Sequence, residues 1–210
     1  MVLLEQLDHL VYATPDLADG IARIEGVLGV RAHPGGTHPE WGTRNAIVPL
    51  GPESYLEIIG PDPDRAGEQL PQVFGIAELT TPRLVTWAVK GELLVAITER
   101  ASEAGIELGE VRSGSRIRPD GTQIHWELTD PFAERAGGTL PFFIDWGASP
   151  HPAEAGPSGA QLLELRVEHP EANAVAHQLA ALGVPLPVAP GRTPALFATV
   201  RTARMTVVLA

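Results

Sequence analysis

The sequence has no cysteine among its 210 residues. Disulfides, thiolate nucleophiles and cysteine-based zinc or iron–sulfur sites are therefore excluded. Positive charge is scarce: 15 Lys and Arg stand against 26 Asp and Glu, a net charge of -11. Phosphate neutralisation needs clustered basic residues, so nucleic acid is not expected as a partner, nor is an anionic membrane surface. No apolar run approaches the roughly 20 residues of a bilayer span. The opening "MVLLEQLDHL" lacks a basic segment ahead of a long apolar one, so no secretory signal is expected and a cytoplasmic location is. No G-x-S-x-G elbow, P-loop, dinucleotide glycine fingerprint or H-E-x-x-H helix occurs. What is present is a 44% hydrophobic chain with 20 Pro and 22 Gly, which describes a globular, turn-rich protein able to bury a sizeable core.

Three segments look alike: "LDHLVYATPDLADGIARIEGVLGV", "RLVTWAVKGELLVAITERASEAGI" and "LLELRVEHPEANAVAHQLAALGV". Each reads as an alternating strand, an amphipathic helix and a glycine where the helix stops, at Gly29, Gly105 and Gly183. In the first, Leu17, Ile21, Ile24 and Leu28 recur at the helical period, with Thr14 as the expected cap. Short strand candidates follow each helix, so the common plan is βαβββ. The stretches 61–80 and 147–160, rich in Pro, Gly, Ala and acid, read as linkers.

Paired βαβββ units closing into a cup of sheet resemble the vicinal oxygen chelate superfamily. The stretches "LDHLVYATPDL", "GGTHPEWGTRNAIVPLGPESYLEIIGPD", "RIRPDGTQIHWELT" and "LPFFIDWG" resemble its glyoxalase-like domain group. The resemblance implies an α+β fold of repeated βαβββ units forming cup-shaped mixed sheets. It covers roughly residues 5–147, so 1–147 is expected as one glyoxalase-like domain with units at about 5–60 and 81–147, and the repeat makes 161–210 a third, C-terminal βαβββ-like unit.

In metal-using relatives, the first and last strands of each unit supply the ligands, often His and Glu. Carried over, the first unit supplies His9 and Glu57 for a divalent Zn, Fe, Mn or Ni ion. The second unit offers Val85 or Thr86, beside Trp87, and then Pro141, Phe142 and Phe143, none of which ligates a metal through its side chain. His9 alternates with Leu7, Val11 and Ala13 on one strand face, where metal ligand, substrate-binding group and satisfied core histidine all remain open.

Other candidates come from the residues themselves. The loop "GGTHPEWGTRN" carries His38 as an acid or base, Trp41 as an aromatic face and Asn45 as an amide. Trp87 and Trp146 are expected to line the cup, and Arg116 to hold a carboxylate at its rim. His38 and Glu57 are the expected catalytic groups; His9, Trp41, Asn45, Trp87, Arg116 and Trp146 are the expected substrate contacts. Two functions compete. One is a small-molecule enzyme of the lyase, isomerase or dioxygenase kind, with a metal at His9 and Glu57. The other is a non-catalytic binding or sequestering protein of the bleomycin-resistance type, without metal. The apolar C-terminal strand "RMTVVLA" suggests pairing with a second copy as a homodimer.

Overall fold

The computed structural model describes residues 2–156 and 159–210. The fold is α+β. A short helix α1 (Val2–Gln6) leads into the first unit: β1 (Leu7–Ala13), α2 (Leu17–Leu28), β2 (His33–His38), β3 (Thr43–Gly51) and β4 (Ser54–Pro61). The second unit is β5 (Arg83–Lys90), α3 (Leu94–Glu103), β6 (Val111–Ile117), β7 (Gln123–Thr129) and β8 (Phe142–Asp145). Their eight strands close into one barrel in the order β1-β4-β3-β2-β6-β7-β8-β5. Both units have the same internal order, with the first strand parallel to the last. They join where β1 runs antiparallel to β5 and where Thr37 of β2 meets Ile117 of β6. A closed barrel leaves no free edge in these eight strands.

The helices stop where a left-handed residue is needed. Gly29 has φ +66° and donates its N–H to the Glu25 carbonyl, and Gly105 and Gly183 share that conformation. The cap of α2 is Asp16, whose carboxylate accepts the Asp19 N–H, rather than Thr14. Thr14 instead bonds the Asp16 backbone one turn earlier.

The remaining strands β9 (Ala160–His169), β10 (Val188–Pro190), β11 (Ala195–Thr202) and β12 (Thr206–Leu209), with helix α4 (Ala172–Ala181), form a four-stranded sheet in the order β10-β9-β11-β12. This segment repeats the element order of the first two units but not their strand order: its first strand is central, and β12 is an open edge. Its apolar face, with Leu165, Val167, Leu196 and Val200, packs on the outside of the barrel in one core with Leu10, Ile24, Leu28 and Trp87. The barrel interior holds a second core of Val11, Ala13, Ile59, Val85, Ile124 and Phe142.

The stretches 61–80 and 147–160 are more than linkers. Val73 and Ile76 are buried inside the barrel, Phe74 packs beside them, and Ala153 packs on Ile47 and Tyr55. Pro157 and Ser158 of the second stretch lie outside the described residues. Among the described residues no helix is long and apolar enough to cross a membrane.

Candidate functional site

One end of the barrel interior is polar. His9, His38, Trp41, Asn45, Glu57, Arg116 and Trp146 all face one cavity, joined by Tyr55, Phe74, Trp126 and Phe142. The free space between them is about 20 Å3, room for about one water molecule.

The centre of the site is a pair of neighbours on β1. Strict alternation would send Asp8 and His9 to opposite faces, but a bulge between Leu7 and His9 breaks it. Asp8 is fully buried and accepts three hydrogen bonds: from His9 Nδ1 at 2.6 Å, Trp146 Nε1 at 3.0 Å and His151 Nε2 at 3.2 Å. Burial by itself raises its pKa, but the bonds and charges of His151 and His9 outweigh it and bring the carboxyl down to about 2. An ionised carboxylate only accepts, so the proton of His9 sits on Nδ1. His151 is oriented by the same logic, since its Nδ1 accepts the Ala153 N–H and its Nε2 donates to Asp8.

His9 Nε2 therefore faces the cavity, and in the neutral imidazole it carries the lone pair. It lies 3.9 Å from Glu57 Oε2, too far for a hydrogen bond. The imidazole is clamped between the Tyr55 ring, stacked at 4.6 Å, and the edge of Phe142 at 5.3 Å. Burial, followed by the charges of Asp8 and Glu57, pushes the Tyr55 hydroxyl well above its usual pKa, so it stays a phenol.

Across the cavity runs a second chain of polar groups. Glu57 Oε1 accepts from Asn45 Nδ2 at 2.5 Å, and Asn45 Oδ1 accepts from Arg116 Nη1 at 3.2 Å. A guanidinium can only donate, which fixes the orientation of the amide between them. The glycines of "PGGTH" make the arrangement possible. A Cβ at Gly35 would stand 2.1 Å from Asn45 Oδ1, and one at Gly36 would stand 2.8 Å from Arg116 Cγ. On β6, Gly114 likewise leaves room for the Trp126 indole, its cross-strand partner.

Two expectations need correction. His38 faces the cavity, but its pKa falls to about 3 through burial, assisted by the Arg116 charge. It is a neutral hydrogen-bonding group near neutrality, with Nδ1 against Thr43 Oγ1 at 2.9 Å, and not the titrating acid or base expected of it. Trp87 does not line the cup. Its register partner is Leu10, both face the outer core, and its Nε1 donates to the Thr139 carbonyl at 2.9 Å. The expected place of Trp87 in the aromatic wall is taken by Trp126 and Phe74, whose ring stacks on Phe142 at 5.6 Å. Sequence reasoning missed Asp8, hidden by the bulge, and His151 and Phe74, hidden in loops. Tyr55 was readable, since it shares a strand face with Glu57.

The divalent metal does not fit this donor set. The first unit brings His9 and Glu57 together, but Glu57 is engaged by Asn45, and the phenyl edge of Phe142 stands against the imidazole where the second unit would supply a ligand. Among the described residues no group of three or more His, Cys, Asp or Glu side chains is placed to hold a metal ion. Catalytic metal sites ordinarily use three protein ligands.

A sequence profile of the glyoxalase-like domain matches residues 7–183. No curated protein matches the chain. Among solved structures, a hypothetical protein from Staphylococcus aureus is 13% identical, with 96% of this chain and 83% of that one covered at a TM-score of 0.63. It shares the fold. Methylmalonyl-CoA epimerase from Mycobacterium tuberculosis is 21% identical over 68% of this chain and 88% of its own, at a TM-score of 0.42. The Streptomyces coelicolor methylmalonyl-CoA epimerase, in complex with 2-nitronate-propionyl-CoA, is 19% identical over 69% and 98%, at 0.44. The profile spans most of the chain and agrees with the paired βαβββ barrel: the chain belongs to the glyoxalase-like domain family of the vicinal oxygen chelate superfamily.

Proposed function

We propose that the barrel interior binds a small molecule and moves a proton at a carbon next to its carbonyl group, an isomerase-type reaction run by His9 with no metal in the step. The observation that carries this is the Asp8–His9 pair, in which a buried carboxylate fixes Nδ1–H and leaves the Nε2 lone pair facing the cavity beside Glu57. The Nε2 lone pair takes the proton. The C–H electron pair forms the carbon–carbon double bond of an enolate, and the carbonyl π pair moves onto oxygen. The imidazolium so formed lies between two carboxylates, Asp8 at 2.6 Å and Glu57 at 3.9 Å. Return of the proton to a different atom of the enolate, or to the other face of the same carbon, gives the isomer. General-base help of this kind supplies about 10²–10⁴ in rate. The aromatic walls exclude water and strengthen these charges. With about 20 Å3 free, a ligand larger than water needs the side chains that line the cavity to move apart.

Proton NMR in D2O, with a panel of 2-oxo acids, 3-oxo acids and 2-hydroxy ketones, tests the proposal. Wild type should exchange the acidic C–H of at least one compound faster than buffer does, and His9→Gln should not. Buffer-rate exchange across the whole panel, or undiminished exchange by His9→Gln, would sink it. A second reading, binding without chemistry, is favoured by the aromatic wall of Trp41, Phe74, Trp126, Phe142 and Trp146. Saturable binding without exchange would support it. A homodimer pairing through the open edge of β12 stays part of the proposal, and sedimentation of the full chain decides it.

A further inference from the structure

The proton-transfer step leaves one charged group of the cavity unused. Arg116 is 2% exposed, forms no ion pair among the described residues, and makes one hydrogen bond, from Nη1 to Asn45. Its Nε has no partner among the described residues. A guanidinium presents five N–H donors in a planar fork, and burying it without a counter-ion is costly. Burial also lowers its pKa from the usual arginine value. The protein nevertheless makes space for it, with two adjacent glycines where any side chain would meet Asn45 or Arg116. The two carboxylates of the region are occupied. Asp8 accepts from three donors, and Asn45 stands between Glu57 and the guanidinium. His38 is neutral and adds no charge of its own.

We infer that the ligand of this cavity is a small carboxylic acid, its carboxylate paired with the Arg116 guanidinium and its reactive carbon turned toward His9. A planar carboxylate matches the fork of one arginine. A phosphate dianion does not suit a site with one free cation and the Glu57 carboxylate one amide away. The inference rests on the proposed proton transfer only for the direction of the reactive carbon. The carboxylate site itself stands on Arg116.

Calorimetric titration of the full chain with pyruvate, lactate and benzoate, each against its amide, tests it, with inorganic phosphate as a further probe. At least one acid should bind about tenfold more tightly than its amide, and more tightly than phosphate. Arg116→Gln should bring acid and amide to near equality, and a thermal melt close to wild type reports an intact fold. Arg116→Lys should keep part of the preference. Amides binding as well as acids, phosphate binding more tightly than every acid, a preference that survives Arg116→Gln, or no acid binding wild type at about 10 mM would overturn the inference. Acid-selective binding without deuterium exchange would remove the proton-transfer reading and leave this one standing. Exchange on neutral ketones without acid selectivity would do the reverse.

Discussion

Replacing Asp8 by Asn removes the charge on which the site is built. The folded protein holds this carboxyl at about 2 against an ordinary value of 3.8. At 1.36 kcal/mol per unit, ionised Asp8 contributes about 2–3 kcal/mol to folding. Because the folded value is the lower one, that stability is present above the unfolded value of 3.8 and is lost as the pH falls through about 2. The amide also turns an N–H toward one of three donors, which adds about 1–3 kcal/mol. Asp8→Asn should therefore cost about 3–6 kcal/mol at neutral pH, enough to lower the urea midpoint strongly without unfolding a typical domain. Urea denaturation followed by circular dichroism measures the gap between wild type and variant at pH 7 and at about pH 3. Groups that do not touch Asp8 titrate equally in both proteins, and protonation of Asp8 itself narrows the gap by about 1 kcal/mol at the lower pH. A gap below about 1 kcal/mol at pH 7, or one that does not change with pH, would refute the reasoning.

Trp87→Phe should destabilise by about 2–4 kcal/mol, from lost packing and the lost bond to Thr139, while carboxylate affinity stays within about twofold of wild type. Phe74 has φ +54°, so Phe74→Gly should relieve about 1–2 kcal/mol of backbone strain and open the cavity. Faster acrylamide quenching of tryptophan fluorescence reads the opening, and unchanged quenching would place the closure elsewhere. Gly35→Ala puts a Cβ 2.1 Å from Asn45 Oδ1 and should weaken carboxylate binding about tenfold in a protein that still folds. Calorimetry beside a thermal melt separates those two effects.

The paired βαβββ plan was legible because periodic helices and glycine stops are local signals. Gly29, Gly105 and Gly183 all adopt the left-handed conformation their positions called for. His9, Glu57, Asn45, Arg116, Trp41 and Trp146 were each readable as polar or aromatic residues on strands or loops facing a cup, and the fold brings them together. What failed to show has a physical cause in each case. Period-two alternation assigns Asp8 to the wrong face, because a bulge depends on the pairing partner and not on the strand's own sequence. Trp87 was misplaced because the face of a strand residue follows its pairing: Trp87 pairs with outward-facing Leu10, and Ala88 pairs with inward-facing His9. Composition read 61–80 and 147–160 as linkers, yet Phe74 and His151 reach the site from there. Only tertiary packing tells a loop that covers a cavity from one that merely connects.

The arrangement at His9 is open to direct observation. Long-range proton–nitrogen NMR on protein labelled with ¹⁵N in histidine reports which ring nitrogen carries the proton. In its neutral form His9 should carry the proton on Nδ1 and leave Nε2 bare, because the Asp8 carboxylate 2.6 Å away can only accept. Asp8→Asn should release that preference. Finding the proton on Nε2 in wild type, or the same tautomer in both proteins, would contradict a basic nitrogen held open toward the cavity.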